Sequence, residues 1–170
     1  MVVLIALLLA GCGGGESAGA PAPATGAPAT TVTTRVTMEG VQTFVVEAAH
    51  AEGPLSYPQT PPVGGAHNPI WQACAVYDVP VPNEKAVHSL EHGAVWITYR
   101  PDLPTADVQF LASLARGRDH VLLSPFGDGL PAPVVVTAWG RQLRLDSAKD
   151  PRLAEFIRLY VNQGPERATC

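Results

Sequence analysis

Residues 1–11 (Met-Val-Val-Leu-Ile-Ala-Leu-Leu-Leu-Ala-Gly) are almost purely apolar. A bilayer span takes about 20 such residues, so the run is too short to cross and fits the core of a signal peptide. Between 13 and 30 the chain holds Gly, Ser, Ala, Pro, Thr and one Glu, with no large apolar side chain. Such a stretch buries too little surface to offset its ordering entropy, and residues 12–34 read as a tether. Hydrophobic alternation then sets in, and 35–170 reads as one globular envelope domain.

Within that domain, β-rich runs at 31–37 and 41–46 flank Glu39-Gly40 and predict a hairpin. Residues 50–82 are dense in Pro and Gly and predict an irregular loop. A long irregular segment in a small domain is usually functional or disordered, and Ile70, Trp71, Val76 and Tyr77 argue against disorder. Asn83 is the expected cap of a helix over 84–92 stopped by Gly93. A buried strand follows at 94–99. Thr105 is the expected cap of a second helix, apolar at Val108, Leu111, Ala112 and Ala115, which Gly117 ends. Strands are expected at 121–124, 134–139 and 142–145, the last two joined by a turn at Gly140-Arg141. Asp150 and Pro151 open a final helix, with Leu153, Phe156, Ile157, Tyr160 and Val161 on one face. The sum is a single α+β domain: a mostly antiparallel sheet, two to three packed helices, and a Pro/Gly-rich loop over one side.

The cysteines and the charge narrow the setting. Cys12 directly follows Leu9-Ala10-Gly11, a lipobox context, so Cys12 is the expected lipid-bearing residue and the membrane the expected partner. This predicts a lipoprotein on the outer face of the cytoplasmic membrane. No basic residue precedes the apolar run, as expected if the start lies upstream of Met1. Cys74 and Cys170 are expected to pair outside the cytoplasm, the alternative being two free thiols. Net charge is −4 and no basic cluster occurs, which excludes a nucleic-acid footprint.

The informative chemistry is His88-Ser89-Leu90-Glu91-His92. On a helix, His88 and His92 lie about 40° apart, with Ala86, Val87 and Leu90 nearly opposite. Two imidazoles on one face can grip a metal ion, and ring nitrogen suits Zn, Cu, Ni or Fe. His67, in a tightly turned loop, and His50, after the first strand pair, could close over them. His120 and Met38 are weaker candidates. His-x-x-Glu-His also matches an inverted zinc-protease pattern, with Glu91 as base and Glu155 as a further ligand. That motif is short, and the helix carrying it is brief.

Several blocks resemble the domain-of-unknown-function 3105 family of bacterial lipoproteins. These are Pro61-Pro62-Val63-Gly64-Gly65-Ala66-His67, Trp71, Tyr77-Asp78-Val79-Pro80-Val81, the run from Ala86 to Tyr99, and Leu130-Pro131-Ala132-Pro133-Val134-Val135. The likeness spans about 36–170 and departs at Ala75, where Gly is expected after the Cys. It implies an envelope domain, and its matched positions include His50, His67, His88 and His92.

Together these predict an extracytoplasmic metal-binding lipoprotein that stores, delivers or buffers an ion. His50, His67, His88 and His92 are the ligands and Glu91 accepts a ring N–H behind them. Copper is expected first, zinc second, because imidazole ligation without thiolate tolerates both and copper has the higher intrinsic affinity. No enzymatic role is assigned. The alternatives are a non-catalytic interaction domain, whose His cluster merely knits loop to helix, and a zinc hydrolase.

Overall fold

The computed structural model describes residues 38–170 apart from Asp128. The expected signal peptide, lipidated Cys12, tether and strand at 31–37 lie outside the described residues. A compact unit runs Val36–Cys170.

A five-stranded sheet forms the centre. Its strands are β1 (Gln42–Thr43), β4 (Val95–Tyr99), β5 (Val121–Pro125), β6 (Val134–Ala138) and β7 (Arg141–Leu145), in the order β1-β7-β6-β4-β5. Every neighbouring pair is antiparallel except β4–β5, which is parallel. The helix α2 (Thr105–Ala115) forms the connection that a parallel pair requires. Alternation along β4 sorts the core. Val95, Ile97 and Tyr99 face α2 and α3 (Pro151–Tyr160), packing with Leu111, Leu153, Phe156 and Ile157. Trp96 points the other way, onto Ala86 and Leu90 of α1 (Asn83–Glu91) and Leu122 of β5. Both faces are therefore covered, and β4, β5 and β6 are buried at every position. Inside this dry layer the polar side chains find partners: Trp96 Nε1 donates to Ser124 Oγ (3.0 Å) and Thr98 Oγ1 to the Val135 carbonyl (2.9 Å).

Several local expectations shift. The strand at 41–46 shrinks to β1 and pairs with β7. The residues at the N-caps of α1 and α2 are Pro82 and Pro104, with no side-chain cap bond, so Asn83 and Thr105 lie inside their helices. The proline carbonyls already accept the first helical amides, from Ala86 (3.0 Å) and Val108 (3.1 Å). The β6–β7 turn is Trp139-Gly140, because Ala138 pairs with Arg141. Gly140 sits second in it at φ 65°, and a Cβ there would press on the Phe44 carbonyl.

The N-cap of α3 and the stop of α1 follow the sequence, while α3 itself ends at Tyr160, with Val161 as its extended C-cap. Asp150 accepts the Arg152 amide (2.9 Å) and holds the Arg152 guanidinium, Nη2 to Oδ2 at 2.7 Å. The Arg152 hydrogen bond holds the Asp150 carboxyl below its ordinary value. Its stabilisation is therefore present above the ordinary carboxylate range and is lost as pH falls through the lowered value. Asp150→Ala is expected to cost about 1 kcal/mol at neutral pH, read from the shift in urea midpoint. At the other site, Gly93 takes φ 96° after His92. Its amide bonds the Leu90 carbonyl, while the Ala94 amide bonds that of Ser89. This is the six-to-one and five-to-two pattern of a Schellman stop.

Candidate metal centre

The loop over 51–82 is sewn onto α1. The Asn68 and Gln72 amides donate to the carbonyls of Glu84 (3.2 Å) and Lys85 (3.1 Å), and Ser89 Oγ donates to the Gln72 carbonyl (2.6 Å). A two-stranded parallel pair, β2 (Ala49–His50) just before this loop and β3 (Ala66–His67) within it, sets His50 directly against His67. The loop thus covers the helix face that carries His88 and His92, and both imidazoles are buried rather than surface groups.

His50, His67, His88 and Glu91 each offer one donor atom within 4.8 Å of the others. Ring centroids of His50–His67, His50–His88 and His67–His88 are 5.1, 5.1 and 4.9 Å apart. His92 is outside this set. Its ring lies 4.5 Å from that of His88, and it groups with His88 and Glu166. Helix geometry explains the division. At 100° per residue, Glu91 projects about 60° to one side of His88 and His92 about 40° to the other.

Each buried imidazole is oriented from behind. Nδ1 bonds a backbone carbonyl in His67 (Gly65, 2.8 Å), His88 (Asn68, 2.7 Å) and His92 (Thr169, 2.8 Å). A carbonyl only accepts, so each Nδ1 carries its hydrogen and each neutral ring presents an Nε2 lone pair. This is how ligand histidines are held, although here main-chain oxygens do the holding that Glu91 was expected to do. Glu91 Oε2 instead meets His67 Nε2 at 2.9 Å, and neither buried atom has another hydrogen-bond partner. A neutral imidazole Nε2 and a carboxylate oxygen are both acceptors. They tolerate each other only with a cation between them, either a proton, on Nε2 or on the carboxyl, or a metal ion. A zinc-like ion at about 2.0–2.1 Å from each needs the pair to open by roughly 0.4 Å. Proton and metal therefore compete for one gap.

Burial pushes the His88 imidazole below its ordinary pKa. The Asn68 carbonyl bond opposes this, while His92 and His67 add to it. His88 is thereby kept in its neutral, ligating form. Trp71, 44% exposed, stacks near His92 (5.5 Å) and His88 (6.1 Å), and Trp139 lies 6.0 Å from His67.

The family described as "Protein of unknown function (DUF3105)" matches residues 49–170. The chain belongs to that family. No curated protein and no solved structure matches it. The DUF3105 match begins just before His50 and so takes in both histidine groups whole.

The remaining candidates fall elsewhere. Met38 is buried in the core with Val95 and Leu143. His120 takes φ 60° and its Nε2 bonds the Ala168 carbonyl (2.9 Å). Glu155 pairs with Arg158 on the exposed face of α3 and belongs to neither donor group. Glu166 went unnoticed in the sequence. Cys74 and Cys170 are bonded, and that link brings the tail carrying Glu166 back to the loop beside Trp71. The signal available in sequence was therefore a carboxylate four residues ahead of a paired cysteine.

Proposed function

We propose that this is an extracytoplasmic, lipid-anchored protein that binds one transition-metal ion, copper first and zinc second, and stores, buffers or delivers it. The observation that supports it most is the buried pair His67 Nε2 and Glu91 Oε2, 2.9 Å apart with no other partner, with His88 and His50 beside them. The donors are imidazole nitrogen and carboxylate oxygen. With Cys74 and Cys170 bonded to each other, no thiolate competes among the described residues. Such a set accommodates Cu(II) and Zn(II), and copper leads on intrinsic affinity. The Leu9-Ala10-Gly11-Cys12 context supports the anchor. No helix among the described residues is long and apolar enough to cross a membrane.

The test is metal analysis of the purified protein, stripped by chelator and reloaded. One equivalent of Cu(II) or Zn(II) is expected, with a rise in melting temperature. Because Nε2 must be unprotonated, affinity is expected to hold at pH 7 and fall below about pH 6. For His88 the folded-state value lies under the ordinary one, so its neutral form persists as pH drops through the ordinary range and is lost only at the lowered value. A protein that takes up neither ion, and whose melting ignores both, defeats the proposal.

A further inference from the structure

The two donor groups share His88, and its Nδ1 is committed to Asn68. Only Nε2 is left, so His88 can ligate in one group at a time, and the groups are alternative seats for a single ion. They also differ in access. Each group has one exposed member, His50 in the inner one and Glu166 (side chain 55% exposed) in the outer one, and what differs is the space that leads to them. His92 lines an open cavity of about 600 Å³ together with His120, Asn162, Gln163 and Arg167.

We propose that His92 and Glu166 form an entry site, from which the ion passes to the inner seat by ligand exchange about His88. This rests on the metal reading above. An aquo ion entering the cavity meets His92 in its lining and trades waters for His92, the Glu166 carboxylate 4.0 Å from His92 Nε2, and His88. The ion then keeps its His88 bond while those to His92 and Glu166 break and those to His67, Glu91 and His50 form. No electron moves. His88 releases no proton because its Nε2 carries none, and the proton held between His67 Nε2 and Glu91 Oε2 leaves to water as the ion takes its place. The handover replaces one costly stripping of the hydration shell by two partial ones. Glu166 is held in place for this by the tail, whose Glu166 amide donates to the Glu91 carbonyl (3.1 Å).

The experiment is stopped-flow quenching of tryptophan fluorescence by Cu(II) in the full chain, with affinity measured separately by chelator competition. In His92→Gln/Glu166→Gln, association and dissociation rates are expected to fall together, each by about tenfold, as when one stabilised intermediate is removed. Their ratio then moves far less than either rate. His50→Gln is expected to do the reverse, weakening affinity by roughly 10–100-fold with most of the change in dissociation. Glu166→Gln alone, at an exposed side chain, carries the same test if the double variant folds poorly. Unchanged rates would mean that the ion enters past exposed His50. A loss of affinity with association unaltered would make His92 a ligand of the final seat. Either overturns the handover while leaving metal binding intact, whereas a wild-type chain that binds no Cu(II) at equilibrium removes both.

Discussion

His88→Gln is expected to remove most of the metal-dependent stabilisation, the largest single effect on binding. His88 is common to both donor groups, so its loss leaves only His92 and Glu166 in the outer one and three donors, His50, His67 and Glu91, in the inner one. At an ion concentration of 100 times Kd, a native-state ligand contributes about 2.7 kcal/mol, and the variant forfeits most of it. The substitution also removes the Nδ1 bond to the Asn68 carbonyl, worth about 1 kcal/mol with or without metal. That second loss is the only one expected if the histidines merely knit loop to helix. Calorimetric melting of wild type and variant, each with and without Cu(II), separates the two. Glu91→Gln sharpens the contrast. A Gln amide can donate to the His67 Nε2 lone pair and so satisfies the buried pair without a cation. The apo fold should then hold while metal affinity drops. Equal metal-induced shifts in wild type and His88→Gln would refute the assignment of His88 as a ligand.

Some of this was legible from residue order alone. Asp150-Pro151 and the spacing of Leu153, Phe156 and Ile157 specify α3 because capping and periodicity are local. So is the grouping of His88 with His92. The parallel β4–β5 pairing was not legible, since buried strands in either orientation show the same unbroken apolar run. Nor were β2 and β3, because two residues carry no period. Yet their register decides the site: His50 lies opposite His67, and a slip of one residue would set an alanine there. Which ring Glu91 meets was not legible for a related reason. Its angle on the helix was computable, but which imidazole waited on that side depended on the long loop. The main-chain carbonyls that orient each ring are invisible to any reading by residue type.

Removing the disulfide, as Cys74→Ala/Cys170→Ala, is expected to produce the largest loss of stability. The bond closes a span of 96 residues. In the chain-entropy treatment a loop of that size contributes about 4–5 kcal/mol, and measured losses run to roughly 2–5. The melting temperature should fall by on the order of 10 °C or more. The damage should begin at the tail, which has few other anchors. The Asn162 amide bonds the Gly93 carbonyl (2.8 Å), the Glu166 amide bonds that of Glu91 (3.1 Å), and the Thr169 carbonyl accepts from His92 Nδ1. Gly164 runs so close to Glu91 and Gly93 that a Cβ there would overlap both. Without the covalent tie, that contact has to be held by these three hydrogen bonds and the one between His120 Nε2 and the Ala168 carbonyl. Hydrogen exchange should therefore report faster opening at Glu166 than in α3 or β4. His92 would lose the carbonyl that fixes its ring, and Glu166 its position, whereas His67 and His88 keep theirs through Gly65 and Asn68. Metal uptake by the variant should consequently be slow but still tight. Identical urea midpoints for the oxidised wild type and the double variant would show that the tail is held by its packing and that the covalent link is dispensable.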